Sequence, residues 1–335
     1  MVSFGDGFSD VGNLNSLLSS TTAQTVQHVT GWDPNYYYNY RLSNGPIWTD
    51  YLYTSLGFGA VGTMGANDGV SNTNGSNFAW LGSRMGTGSA GGLFPNLQQQ
   101  IGYYSAQLGS NAVLPNPATT LFTIWSGNND VIAHVEQGDS VTPNQMANNI
   151  SLAITTLYGQ GGRYFVVPNL PPIGRTPSYL DDPVKGPLAT SFVDIYNQQL
   201  ELELAALSAS LAGISIIRID VHTLILEIMA DYHEYGFTNV TETAYIRFGE
   251  QPYEPRESPY GTTVSAPDGY LYWDASHFTS LGNFYLSEAA YHASLNVAFP
   301  ESAVPEPAVT TLLFGGSMLA FVLVRRRRKT ASSLI

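Results

Sequence analysis

The chain has 335 residues, a formal net charge of -13 at pH 7 and no cysteine, enough length to bury a sizeable core in one large domain or two smaller ones. The lack of cysteine excludes thiolate catalysis, disulfides and cysteine-ligated zinc. Five of the thirteen basic residues fall in Arg325–Lys329, which leaves the rest so acidic that a phosphate backbone, and with it a nucleic-acid partner, is set aside.

In chain order, Val2 to Phe4 reads as a short buried strand. The stretch Phe4-Gly5-Asp6-Gly7-Phe8-Ser9-Asp10-Val11-Gly12-Asn13 then reads as a tight glycine turn opening a helix. A strand-to-helix turn of this kind can lift one side chain out of a sheet as an exposed nucleophile, and it leaves backbone N–H groups unpaired. The residue at its tip is Gly7, which has no side chain to lift. A Ser/Thr-rich stretch follows, then Trp32 to Tyr40, dense in tyrosine and read as cleft wall or surface loop. Arg41 to Trp48 is a turn that leads into a helix through Leu56. Gly57 to Gly92 is a long Gly/Asn/Ser-rich loop of the kind that usually carries function, with Asn77-Phe78-Ala79-Trp80-Leu81-Gly82-Ser83 inside it. Leu97 to Leu108 has helical spacing. Thr119 to Trp125 is a buried strand that runs into a turn at Ser126-Gly127-Asn128-Asn129-Asp130. Gln145 to Leu157 is an amphipathic helix, Arg163 to Val167 a strand ending at Asn169-Leu170-Pro171-Pro172-Ile173-Gly174, Leu188 to Leu211 a long helix and Ile214 to Ile219 another strand. Asp231 to Asp268 is polar and irregular. The last globular element is Tyr270 to Thr279, followed by a helix through about Ala293. Short apolar strands alternating with helices predict a parallel sheet covered on both faces.

Sites in such sheets form at the carboxyl ends of the strands, where Gly7, Gly82, Asn129 and the pair Asp274/His277 all fall. The Asp-x-x-His spacing allows the carboxylate to hold the Nδ1–H of the imidazole while Nε2 faces the site, the base-and-orienter pair of acyl transfer. The backbone N–H of Gly82 and the amide of Asn129 are donors of the type that lines an oxyanion hole. Each piece also has a plainer reading, as an ordinary loop pair, a turn, or, for Asp6 and Asp10, charges at a helix N-terminus. A metal on Asp274, His277 and Asp6 lacks a second histidine at ligand spacing, so neither metal nor cofactor is expected.

Taken in order, Phe-Gly-Asp-x-x-Ser-Asp-x-Gly-Asn, Ser-Asn-Gly-Pro-Ile-Trp, Asn-Phe-Ala, Gly-x-Asn-Asp, Asn-Leu-Pro-Pro-x-Gly, Gly-Phe-Thr-Asn-Val-Thr and Tyr-Leu-x-Trp-Asp-x-x-His resemble the GDSL/SGNH hydrolases, a family of esterases and lipases. The resemblance runs from Phe4 to about Ala293. It implies a three-layer α/β/α sandwich of flavodoxin-like type on a parallel sheet and an ester substrate, whether lipid, glycan acetyl ester or small ester. It also implies a triad completed by Asp274 and His277, and an oxyanion hole from Gly82, Asn129 and the N–H of residue 7. The nucleophilic serine of the family falls on Gly7. Phe278 stands where a proline is usual and Leu81 where a glycine is usual. Loss of the serine leaves three readings. The first is an ester hydrolase in which a water in the vacated hydroxymethyl space is activated by His277, with Ser9 a poor substitute because it is aimed elsewhere. The second is a non-catalytic binding module for acylated lipid or glycan. The third is a surface-architecture protein whose tyrosine-rich loops carry adhesion.

The expected hydrolase domain spans 1–298, with a Pro-containing linker at 299–307, an apolar span at 308–324 and a basic tail at 325–335. An uncharged run of this length can span a bilayer, and the arginines would hold its end in the cytoplasm. Val304-Pro305-Glu306-Pro307, the apolar span and the arginines resemble the PEP-CTERM sorting signal of Gram-negative bacteria. That resemblance implies an exported protein, anchored at least transiently through the C-terminal helix and processed by an exosortase-type protease. Export would also need an N-terminal leader; the first strand begins at once, so a start upstream of Met1 is expected.

Overall fold

The computed structural model describes residues 1–13, 36–58, 76–86, 94–109, 113–247 and 261–295. The apolar span 308–324 and the basic tail lie outside these residues, and among the described residues no helix is long and apolar enough to cross a membrane.

Four parallel strands form the central sheet in sequence order: β1 (Val2–Gly5), β2 (Leu121–Trp125), β3 (Tyr164–Pro168) and β4 (Ser215–Ile219). Outside β1 the segment after Ser76 runs parallel to it, through a bridge from Ser3 to Asn77 and a bond from the Trp80 N–H to the Gly5 carbonyl. Because successive side chains of a strand point to opposite faces, each face has its own core. On one side Phe4, Phe122, Ile124, Phe165 and Val167 pack beneath α2 (Leu97–Gln107), α3 (Asn128–Gln137), α4 (Pro143–Gly159) and α5 (Lys185–Ser210). On the other, Leu121, Trp125, Val166, Ile217 and Ile219 pack beneath α1 (Trp48–Ser55), α6 (Val221–Ala230) and α7 (Ser280–Leu295). The expected three-layer α/β/α sandwich is therefore present. The helices start where the sequence supplies caps. Asn96 with Gln99 closes a capping box on α2, and Thr142 with Gln145, helped by Pro143 in the first turn, does the same on α4.

Three local expectations change. Residues 6–13 are successive turns, not the start of a helix, because their polar side chains bond to neighbouring backbone instead of leaving it to form a helical ladder. The stretch after Trp125 is a turn of two residues, Ser126 and Gly127, the latter with φ 122°, and Asn128 already opens α3. Finally, α6 follows β4 directly, its N-terminus capped by Asp220, whose carboxylate accepts the Thr223 N–H. The polar region beyond it carries β5 (Asn239–Thr243), β6 (Tyr245–Arg247) and β7 (Gly261–Thr263). β5 pairs in parallel with β8 (Tyr270–Tyr272), which delivers the chain to Asp274 and His277.

Candidate active site

The site begins at Gly5. There β1 passes so close to β2 that a Cβ would stand 2.0 Å from the Trp125 carbonyl oxygen, and φ is 149°, so only glycine fits. Gln100, fully buried on α2, reads the same backbone group from both sides. Its Oε1 accepts the Gly5 N–H at 2.9 Å, and its Nε2 donates to the Gly5 carbonyl and to Ser83 Oγ, each at 2.8 Å. The Gly7 turn and the Gly82 loop are thereby tied together through one side chain.

The turn itself is held by buried carboxylates. Asp6 accepts the Phe8 N–H at 3.1 Å and the Asn128 amide at 3.1 Å. Asp10 accepts the N–H groups of Gly12, Asn13 and Leu81. The side chain of Asn13 donates to the carbonyls of Asn77 and Ala79. Asp130 on α3 accepts the Met85 N–H and faces Arg84. Burial pushes all three carboxyls up to about 6, against the pull of these hydrogen bonds. Asp6 and Asp10 are thus internal acceptors that shape the loops, not charges at a helix end.

Asp274 and His277 meet as the spacing predicts. Asp274 Oδ1 lies 2.8 Å and Oδ2 3.0 Å from His277 Nδ1, and Oδ1 also accepts the N–H groups of Ser276 and His277. The fourth donor is Tyr37, whose hydroxyl reaches Oδ2 at 2.9 Å across 237 positions of sequence. Burial alone would raise the Asp274 carboxyl, but the charge of His277 and these bonds outweigh it and hold it below the usual carboxylate range. Burial would likewise lower His277, yet Asp274 beside it, aided by the negative charge of Asp6, lifts it above its ordinary value. The imidazole is braced by Phe8, whose ring centre lies 5.2 Å away, and Phe8 packs in turn on Phe278 and Trp125. Phe278 therefore fills by aromatic packing the position where the sequence lacks a proline.

The Ser43–Trp48 motif joins these two halves. Asn44 Oδ1 accepts the Ser280 N–H and the Pro46 carbonyl accepts Ser280 Oγ, directly after the histidine loop. Trp48 donates its indole N–H to Ser9 Oγ at 3.1 Å and its backbone N–H to Asn283. Ser9 is fully buried under this bond, in keeping with its poor standing as a nucleophile. Arg41 and Asp50 clamp the motif with two bonds of 2.6 Å.

At the centre stands Gly7. A Cβ built on it would lie 3.0 Å from His277 Nε2, 2.5 Å from Leu42 Cδ1 and 3.3 Å from Leu81 Cδ1. Nε2 therefore points at residue 7, but the space of the missing side chain is not open to a water as the sequence suggested, because the Leu42 methyl occupies it. The backbone N–H groups of Gly7 and Gly82 donate to no acceptor among the described residues, and Gly82 turns with φ 71°. Asn129 donates an amide hydrogen to the Ser83 carbonyl at 3.0 Å, one residue after Gly82. Gly7, Gly82, Asn129, Asp274 and His277 are thus brought to one end of the sheet. An imidazole held this way can take a proton, and unpaired N–H groups can receive a developing negative charge. Among the described residues no group of acidic and histidine side chains is arranged to hold a metal ion.

Sequence reasoning missed Tyr37, Gln100 and Leu42. A tyrosine in a tyrosine-rich run, a glutamine on a helix and a leucine in a turn carry no pattern that announces their partners.

Comparison with known proteins gives a family for the chain. A family model described as GDSL-like Lipase/Acylhydrolase matches residues 1–290. The GDSL esterase/lipase At1g71691 of Arabidopsis thaliana is 24% identical over 319 residues, covering 89% of this chain and 82% of that protein. The GDSL esterase/lipase At1g28570 of the same plant is 27% identical over 328 residues, covering 87% and 82%. Among solved structures, Axe2, an acetylxylan esterase from Geobacillus stearothermophilus, aligns with a TM-score of 0.44 and 12% identity over 90% of this chain and 95% of that one.

Proposed function

Since the chain belongs to the GDSL-like lipase/acylhydrolase family, we propose that it hydrolyses carboxylic (acyl or acetyl) esters slowly, with His277 as general base on water and no covalent acyl-enzyme at residue 7. The observation that carries this reading is His277 Nε2, which makes no bond to a described residue and points at residue 7 beside the unpaired Gly7 N–H. The water approaches from the open side of the imidazole, whose side chain is 19% exposed. It adds to the ester carbonyl carbon as its proton passes to Nε2. The carbonyl oxygen becomes the oxyanion received by the N–H groups of Gly7 and Gly82 and the Asn129 amide, and the alcohol leaves with the proton returned by Nε2. Asp274 keeps the imidazole in the right tautomer and stabilises its charged form. Without a nucleophile, turnover falls by about 10⁶ from that of a serine enzyme, while roughly 10³–10⁴ over water survives through the oxyanion donors and binding.

The test is turnover of a short-chain aryl ester by the native chain and by His277→Ala. Loss of turnover in the variant supports the reading, and unchanged turnover removes it. A second reading, a non-catalytic binder of acylated lipid or glycan on the same scaffold, is favoured by Leu42 crowding the nucleophile position. It expects ester retention without turnover, weakened by Asn129→Ala. The order of a Val-Pro-Glu-Pro motif, an apolar span and arginines at 304–329 supports export, transient anchoring in the membrane and an exosortase-type processing partner as part of the same proposal. Its check is a mass shift of the C-terminus after secretion.

A further inference from the structure

We propose that Leu42 sets the chemistry of this site. Its δ-methyl fills the space of a side chain at residue 7, so a hydroxyl placed there becomes nucleophilic only when residue 42 is shortened. The inference rests on Asp274–His277 being the base pair of the proposed function.

Three observations carry it. First, the barrier to a side chain at Gly7 is space, not backbone strain, because Gly7 is absent from the positive-φ glycines. Second, the nearest obstacle is Leu42 Cδ1 at 2.5 Å. Carbon atoms in contact sit about 3.5–4.0 Å apart, so the methyl would have to withdraw by about 1 Å. Third, Leu42 has little freedom to do so. It is 4% exposed and shares an apolar cluster with Tyr37, Trp80, Leu81 and Trp273. Its backbone is pinned on both sides, by Tyr38 N–H to the Ser43 carbonyl and Arg41 N–H to the Tyr38 carbonyl, each at 2.9 Å. The Arg41–Asp50 clamp anchors the same turn. Leu81, 3.3 Å from the same point, closes a second side. A serine introduced alone would thus be pushed off the line to Nε2, while His277 stays oriented by Asp274. Glycine at residue 7 and leucine at residue 42 are fitted to each other, and a single reversion leaves the misfit in place.

A fluorophosphonate reads this directly and independently of native turnover. In a competent site the introduced hydroxyl attacks phosphorus, its proton passes to His277 Nε2, the P–F bond breaks and fluoride leaves, giving a mass increase of one phosphonyl group. The full chain is labelled as Gly7→Ser, as Leu42→Ala, and as the double variant, with folding of each checked by thermal melting. Labelling of the double variant at least about tenfold faster than Gly7→Ser, with none in Leu42→Ala, is expected. Equal labelling of Gly7→Ser and the double variant, or labelling of neither, overturns the inference. Leu42→Val makes the same comparison with a smaller cavity. In parallel, Gly7→Ala should lower the Tm of the native chain yet cost much less on the Leu42→Ala background; additive losses in Tm would equally overturn it. Turnover retained by native His277→Ala would sink the proposed function without deciding this result, since the labelling concerns only an introduced serine.

Discussion

Replacing Tyr37 with phenylalanine removes one hydroxyl from the carboxylate that orients His277, and its consequences can be worked through with signs. The bond from Tyr37 to Asp274 Oδ2 is 2.9 Å long and both groups are largely buried. A hydrogen bond to a charged group contributes about 1.5–3 kcal/mol, so Tyr37→Phe should cost that much stability at neutral pH. Asp274 has a folded-state pKa below its ordinary value. Its stabilising contribution is therefore present above the unfolded pKa, about 3.9, and is lost as pH falls through the folded value. Removing a donor to the carboxylate moves that folded value upward. The gap between native and variant should then narrow as the pH is lowered and Asp274 takes up its proton. Urea denaturation of the native chain, Tyr37→Phe, Asp274→Ala and the double variant isolates the pair. The coupling should be about 1.5–3 kcal/mol at pH 7 and shrink toward acid. Coupling that is near zero, or that does not change with pH, would refute the reasoning.

Other expectations follow from the same contacts. His277 lies above its ordinary pKa, and a general base must be neutral, so ester turnover should rise with pH through an ionisation above 6.5; a profile flat across that range in a pH–rate measurement counts against His277 as base. Arg41→Ala takes the guanidinium from the partly buried Asp50 carboxylate and leaves it the Ile47 N–H, which should cost about 1–3 kcal/mol in a urea titration. Gln100→Ala takes the acceptor from the Gly5 N–H and a donor from Ser83 Oγ, while the Gly5 carbonyl keeps the Trp80 N–H, and each group left unsatisfied costs about 1–3 kcal/mol; a loss under 1 kcal/mol would show that water replaces the side chain. Gly5→Ala drives a Cβ to within 2.0 Å of the Trp125 carbonyl, so soluble, cooperatively melting protein should not be obtained.

Much of the architecture was legible because it is local. The strands are short apolar runs, and α2 and α4 carry caps at the expected ends. Asp274 and His277 are three residues apart on one loop, so their meeting is a matter of chain geometry. The turn after Gly7 reads as the opening of a helix, yet Asp6 spends its oxygens on the Phe8 N–H and the Asn128 amide, and Asp10 spends its own on N–H groups that include Leu81 from the distant loop. The start of α3 at Asn128 was hidden behind a Gly-Asn-Asn string that favours turns. Tyr37, Gln100 and Leu42 act across long sequence separations, where no period or spacing encodes the partner. Leu42 in particular matters only because residue 7 is glycine, a relation visible once both stand in space.

The most direct measurement is a rapid-mixing time course of aryl ester hydrolysis by the native chain, followed by quenching and intact-mass analysis. Hydrolysis by water on His277 expects product to rise linearly from the first turnover and the chain mass to stay unshifted. A burst approaching one product per chain, with an acyl group retained on a hydroxyl, would contradict it.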